Sequence, residues 1–337
     1  MRQISIIKIH LLLFLAVITM GCEEIFEPNA PQENHRAIFE HLWSDVNNRY
    51  SFFEEKQIDW EAIKQRYSPL VHENMDPYAF FDILGDMLAE LQDGHVNLLS
   101  TFNRSRNWSW YEGYSLYYDE QLIYDTYLQT DYRIIGPFHA QSVDNMLYVN
   151  YRSFERAVKE QHMDEIVRLM QFHDGLIIDV RSNGGGSQQN GLNIASRLTD
   201  EERLYARQRF KTGPGKTDFT PWASLKITPH SGEKYLGKVA ILTNRRSYSA
   251  TTFFSQMMRS LPQARLIGDQ TGGGGGIPVF AELPNGWTYR FSGSQTVDLE
   301  GVQLEFGVPV DQLLTHPMDA IPGKDHFIEA AITWLKN

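Results

Sequence analysis

Several hydroxyl side chains stand where an apolar run meets an amphipathic pattern. In the segment "ILTNRRSYSATTFF" (residues 241–254), Ser247 and Ser249 lie at the junction of a predicted strand and a predicted helix. A serine at a helix N-terminus is next to free backbone N–H groups and the positive end of the helix dipole, which stabilise a developing anion. The segment therefore offers a candidate nucleophile for acyl transfer, although serine at such a junction is also a common helix cap.

A glycine-rich turn elsewhere in the chain could stabilise the same anion. The segment "GLIIDVRSNGGG" (residues 175–186) reads as a buried strand followed by three glycines. Glycines let the backbone approach a ligand closely and present its N–H groups, which suits an oxyanion hole or a phosphate cradle. No Gly-x-x-x-x-Gly-Lys-Ser/Thr pattern follows, so a nucleotide site is not expected.

Helical periodicity dominates the chain before residue 98. The sequence Asp76-Pro77 is typical of a helix start, with an N-cap followed by proline at the first helical position. We expect this helix to end at Gly94 in the left-handed cap position and to deliver His95 at its exit. From the residues alone, His95 is either an exposed histidine at a helix end or a general base, whose ordinary pKa near 6.5 suits that task.

After residue 98 the pattern changes to strands that alternate with helices. The aromatic stretch from residue 99 to 150 predicts short strands and turns. Beyond it, "MLYVNYRSF", "GLIIDV" and "KVAILTN" predict buried strands separated by helical segments. This alternation indicates an α/β fold with a partly parallel sheet.

Composition excludes several classes of function. The formal net charge is −11 and the chain has no block of basic residues, so a nucleic-acid partner is not expected. Cys22 is the only cysteine, which rules out an intramolecular disulfide and a cysteine-based zinc site. We expect neither a metal nor an organic cofactor.

The N-terminus carries a targeting pattern. Two basic residues precede an apolar run at 11–20, which is too short to span a bilayer, and Gly21 stands directly before Cys22. The pattern resembles a bacterial lipoprotein signal peptide (residues 1–21) cleaved before an acylated Cys22, and a plain secretory signal is the alternative. Residues 22–34 then read as a flexible tether, and the protein is expected on the bacterial cell envelope.

Together the serine and glycine segments resemble those of the C-terminal processing (tail-specific) serine peptidase family, in its tricorn-like branch. "GLIIDVRSNGGG" is similar to that family's Asp-x-Arg-x-Asn-x-Gly-Gly signature, and "ILTNRRSYSATTFF" to its nucleophile segment. The resemblance implies that Ser249 is the nucleophile and that the amides of Ala250 and Gly185 form the oxyanion hole. It also implies a crotonase/ClpP-like ββα core with an N-terminal helical subdomain.

The resemblance also bears on the general base. Family members with a Ser-Lys dyad carry lysine 25 residues after the serine, where this chain has Gly274. No lysine stands between Lys238 and Lys324, so a Ser-Lys dyad is not expected. "LAELQDGHVNL" instead resembles the histidine segment of tricorn-like relatives, which implies that His95 is the base.

A third residue should orient the imidazole. The segment "QLEFGVPVDQ" resembles the C-terminal glutamate segment of the relatives and implies Glu305, one residue closer to Gly307 than in those relatives. Asp298 and Glu300 are alternatives. Tricorn-like enzymes have a serine directly before the histidine, where this chain has Gly94.

These expectations give one domain organisation and two functions. Residues 35–98 form a helical subdomain and residues 99–337 an α/β serine peptidase core, with no room for a full PDZ domain. The expected function is an envelope serine peptidase, an endopeptidase or a carboxy-terminal processing enzyme, acting on peptides or proteins. The alternative is a catalytically inactive lipoprotein that binds a peptide or an apolar ligand in the same cleft.

Overall fold

A computed structural model of the chain describes residues 34–107, 112–314 and 322–337. The helices are α1 (His35–Arg49), α2 (Trp60–Tyr67), α3 (Pro77–Ala89), α4 (Glu120–Leu122), α5 (Glu160–Leu169), α6 (Gln188–Ala195), α7 (Ala250–Arg259) and α8 (His326–Lys336). The strands are β1 (Asn97–Leu99), β2 (Arg133–Ile135), β3 (Phe138–Val143), β4 (Met146–Asn150), β5 (Gly175–Asp179), β6 (Arg203–Phe210), β7 (Ala223–Ile227), β8 (Val239–Thr243), β9 (Ala264–Gly268), β10 (Pro278–Glu282), β11 (Thr288–Ser292), β12 (Ser294–Val297) and β13 (Gln312–Leu313). The predicted signal peptide, Cys22 and nearly all of the predicted tether lie outside the described residues. None of the described helices has the length and apolarity needed to cross a membrane.

A seven-stranded sheet forms the centre of the C-terminal part. Its strand order is β13-β9-β8-β5-β4-β3-β2. Strands β4, β5, β8, β9 and β13 run parallel, and β2 and β3 complete one edge as antiparallel strands. The loops after β5 and β8 therefore leave the sheet at the same end, because neighbouring parallel strands share their carboxyl edge.

Both faces of this sheet are covered by helices, so its central strands are apolar throughout. In β5, Leu176 and Ile178 belong to the core under α5, α6 and α7, whereas Ile177 points into the core under α8. This alternation is the two-residue period of a strand, and it explains why a continuous apolar run rather than an alternating one marks β5 in the sequence.

The N-terminal helices share a separate core with strands from far along the chain. Helices α1, α2 and α3 pack on β10 and β11, and the antiparallel order β1-β11-β10 joins the segment after α3 to the same sheet. Burial against β11 therefore holds the β1 region, and the residues just before it, next to the C-terminal part. The predicted α/β fold class with an N-terminal helical region is confirmed.

Two local expectations are wrong. Helix α3 ends at Ala89, and the left-handed residue is Gln92 (φ 47°) rather than Gly94. The segment Ile123–Leu128 is a π-helical turn that continues α4 and not a strand, and the Asp119 side chain caps α4 by accepting from the Leu122 amide.

Candidate active site

Ser249 occupies a strained turn between β8 and α7. Its backbone has φ 58° and ψ −120°, a region that residues with a side chain rarely adopt. Helix α7 begins at Ala250, so the amide of that residue has no acceptor within the helix. The turn thus presents the Ser249 hydroxyl beside an open amide, which is the arrangement expected of an acyl-transfer nucleophile.

The glycine loop after β5 packs directly against this turn. A Cβ atom on Gly185 would lie 2.9 Å from Ser249 Cβ and 3.0 Å from the Ala250 nitrogen, so only glycine fits there. The Gly185 amide donates to Asn183 Oδ1 at 3.1 Å. The two amides predicted for the oxyanion hole are therefore neighbours, but that of Gly185 must share its hydrogen with Asn183 to serve a substrate.

A buried ion cluster fixes the start of the glycine loop. The Arg181 guanidinium donates to Asp179 Oδ2 at 2.6 Å and to Asp325 Oδ2 at 2.9 Å, and these three side chains are almost fully buried. Because Asp179 ends β5 and Asp325 caps α8, the arginine joins the loop to the last helix of the chain. This contact explains the arginine of the "DVRSNGGG" segment as a structural residue.

His95 reaches Ser249 from the segment between α3 and β1. Its Nε2 atom lies 2.9 Å from Ser249 Oγ. Burial, with repulsion from Arg290 and Lys56, lowers the pKa of His95 to about 4, although Asp93 opposes this shift. The imidazole is therefore neutral near pH 7, with Nε2 placed to accept the serine proton.

Two groups approach the other ring nitrogen. Ser292 Oγ lies 3.4 Å from His95 Nδ1, and Asp93 Oδ1 lies 3.9 Å from it. Asp93 Oδ1 also accepts from the His95 backbone amide at 2.8 Å. Burial raises the pKa of Asp93, but the positive charge of Lys56, together with hydrogen bonds from the His95 backbone amide and the Ser292 hydroxyl, outweighs it and leaves that pKa lowered. A buried, ionised carboxylate thus faces the imidazole.

Glu305 is not brought to His95. Its Oε1 atom accepts from Lys56 Nζ at 2.7 Å, both side chains are buried, and within the described ranges no hydrogen bond joins Glu305 to the histidine. Burial, only partly offset by Lys56, raises the pKa of Glu305 to about 7. The alternative Asp298 accepts from the Val302 amide in a turn, so neither carboxylate orients the imidazole directly.

The geometry also separates the other candidates. The Ser247 hydroxyl is buried and donates to the Val180 carbonyl at 2.8 Å, which makes it a structural contact between loops. Gly274 lies on the ring of Tyr248, where an added Cβ would be 2.5 Å from the ring carbon Cζ. No lysine side chain could occupy that position in this fold.

A cleft of about 640 Å³ opens over the serine and the histidine. It is lined by Ser249, His95, the three glycines of the loop, β10 and arginine side chains from β11 and from the segment after β1. A second cavity of about 560 Å³ lies on the other side of Tyr248 and Gly94 and is lined by Lys56 and Glu305. The nucleophile is accessible from the first cleft.

Sequence reasoning missed Asp93, Ser292 and Lys56. Asp93 stands two residues before His95 in the segment "LAELQDGHVNL", whereas the family resemblance implies a glutamate near the C-terminus as the acidic partner. Ser292 and Lys56 carry no local signal, because they approach the site only through the packing of β11 and of the segment after α1.

Comparison with known proteins gives a consistent picture. The model of "Peptidase family S41" matches residues 145–313, and that of "Tricorn protease C1 domain" matches residues 31–89. The crystal structure of a protein from Parabacteroides merdae ATCC 43184, described as a peptidase, is 42% identical over 90% of this chain and 97% of that chain, with a TM-score of 0.84. The photosystem II D1 C-terminal processing protease (16% identity, 85% of this chain, 95% of that chain, TM-score 0.54) and mature CPAF bound to lactacystin (12%, 89%, 96%, 0.62) share the fold.

Proposed function

We propose that this chain, which belongs to peptidase family S41 and is therefore a serine peptidase acting on peptides or proteins, uses Ser249 as its nucleophile and His95 as its general base. The family resemblance inferred from the sequence is confirmed. The observation that supports these two roles is the 2.9 Å approach of His95 Nε2 to Ser249 Oγ, made between residues 154 positions apart. Such an approach across two cores does not arise from local chain geometry.

The chemistry follows from this contact. Ser249 Oγ attacks the carbonyl carbon of the scissile peptide while His95 Nε2 takes its proton. The Ala250 amide, and that of Gly185 once it turns from Asn183, stabilise the oxyanion. His95 then gives the proton to the leaving amine. In the second half of the reaction water attacks the acyl-enzyme carbonyl while His95 takes its proton, and His95 returns that proton to Ser249 Oγ as the ester bond breaks.

We assign the positioning of His95 to Asp93 and Ser292 rather than to Glu305. With Nε2 accepting from the serine, Nδ1 carries the hydrogen and points at the Ser292 hydroxyl and the Asp93 carboxylate. Both contacts are longer than an ideal hydrogen bond, as catalytic contacts often are before substrate binds. Lys56 favours the ionised form of Asp93, and Glu305 is the counter-ion of Lys56.

Labelling with a fluorophosphonate probe tests the two catalytic roles. We expect the wild type to be labelled, Ser249→Ala to be unlabelled and His95→Ala to be labelled far more slowly. Ser247→Ala is the matched control, since its hydroxyl faces a carbonyl and not the cleft. An unlabelled wild type that also cleaves no member of a peptide library would favour the inactive, ligand-binding alternative.

The location on the cell envelope is part of the same proposal. It is supported by the apolar run followed by Gly21-Cys22 at the N-terminus. Metabolic labelling with a fatty acid should mark the full chain and be abolished by Cys22→Ala. Persistent labelling of that variant would contradict a lipid anchor at Cys22.

A further inference from the structure

The cleft over Ser249 has a charge opposite to that of the whole protein. The chain has a formal net charge of −11. Nevertheless Arg104, Arg106 and Arg290 line the cleft, and Glu155 is the only acidic residue among the described residues that line it. The local excess of positive charge sits where a substrate must bind.

Arg290 is held at this site by neutral groups. Its Nε atom donates to the His95 carbonyl at 2.8 Å. With the side-chain amide of Asn97 turned to present its oxygen, that oxygen accepts from Arg290 Nε at 2.6 Å and from Nη2 at 3.2 Å. These bonds orient the guanidinium beside the catalytic histidine without neutralising its charge.

Arg104 adds a second positive charge nearby. Its side chain is exposed, and no carboxylate in the described ranges forms an ion pair with it or with Arg290. Burial, and after it the charge of Arg104, lower the pKa of Arg290, although Tyr248 and Asp93 oppose this shift, so the two guanidinium groups repel each other. Two like charges that line one cleft, neither of them in a direct ion pair, are stabilised when an anion binds near both.

We propose that Arg104 and Arg290 form a carboxylate-binding subsite, so that the cleft selects peptides with a carboxylate close to the scissile bond. Guanidinium groups bind carboxylates through paired, charge-assisted hydrogen bonds, which makes two adjacent arginines well suited to this ligand. The carboxylate is either an Asp or Glu side chain or the C-terminus of the peptide. This inference rests on the proposed function, because it places a substrate in the cleft of Ser249.

A matched set of fluorogenic peptides tests the proposal. One parent peptide with glutamine at the positions flanking the scissile bond and an amidated C-terminus is compared with two relatives. In the first relative both glutamines are replaced by glutamate, and in the second the C-terminus is a free acid. We expect one relative to be cleaved with kcat/KM up to about fivefold above the parent, since a partly exposed ion pair contributes up to about 1 kcal/mol. The relative that gains identifies the source of the carboxylate.

Two variants locate the preference. Arg104→Gln should reduce the preference, taken as the ratio of kcat/KM for the acidic relative to kcat/KM for the parent in the same variant, to less than about twofold. Arg36→Gln, which changes an exposed arginine of α1 that does not line the cleft, should retain the full preference. Equal cleavage of all three peptides by the wild type, or an unchanged preference in Arg104→Gln, would overturn the subsite.

Binding to an inactive variant separates this inference from the proposed function. Fluorescence anisotropy with Ser249→Ala should show tighter binding of the same acidic peptide than of the parent, and added salt should weaken that difference. If the wild type cleaves neither peptide but the variant still binds the acidic one more tightly, the subsite stands and the peptidase assignment fails. If the wild type cleaves the peptides without any charge preference in rate or binding, the peptidase assignment stands and the carboxylate-binding subsite fails.

Discussion

The choice between Asp93 and Glu305 as the acid that serves His95 can be decided with two isosteric variants. Asp93→Asn keeps an oxygen that can accept from the His95 amide but removes the negative charge 3.9 Å from Nδ1. Glu305→Gln removes a charge whose direct partner is Lys56. The two changes are equal in size and charge, so their effects on kcat can be compared directly.

The separation of the charges sets the expected loss. Two unit charges 3.9 Å apart attract by about 4 kcal/mol at an effective dielectric constant of about 20. This attraction develops when His95 becomes an imidazolium in the transition state, so Asp93→Asn should lower kcat by about 10³-fold. Glu305→Gln should lower kcat by less than about tenfold, while it lowers the free energy of unfolding by about 3 kcal/mol because Lys56 loses its buried counter-ion.

The pH dependence gives an independent readout. A base with a pKa of about 4 stays unprotonated as the pH falls from 7 to 5, so kcat/KM of the wild type should decline only near pH 4. If ionised Glu305 were required, activity would instead be lost as the pH falls through about 7, where that carboxyl takes up a proton. The reasoning is wrong if the acid limb lies near pH 7, or if Glu305→Gln lowers kcat as much as Asp93→Asn.

Three further changes test the positioning of the site. Ser249→Gly should have a free energy of unfolding about 1 kcal/mol higher than that of Ser249→Ala, because glycine relieves the positive φ of 58°; equal free energies of unfolding would mean that the turn is not strained. Gly185→Ala should lower kcat by at least about 10²-fold, since its Cβ would meet Ser249, and normal turnover would show that the loop moves freely. Arg181→Met should lower the free energy of unfolding in urea by about 3 kcal/mol, and a loss below about 1 kcal/mol would contradict the bridging role of its buried ion pairs.

The sequence by itself determined the pieces of the site that are encoded locally. The continuous apolar run of β5, the glycines after it and the serine before α7 are short-range signals, because a buried parallel strand and a tight turn each impose their own residue types. The segment containing His95 was also recognisable. These signals were sufficient for the family, the α/β fold class and the candidate nucleophile and base.

Only the tertiary structure decided how these pieces meet. His95 contacts Ser249 because the N-terminal helices share a core with β10 and β11, a packing that no local pattern encodes. The same packing places Ser292 beside Nδ1 and pairs Glu305 with Lys56 instead of with the histidine. A carboxylate can orient and stabilise an imidazole only when the two groups lie close together and are shielded from water. Both conditions are properties of the folded chain rather than of its sequence segments.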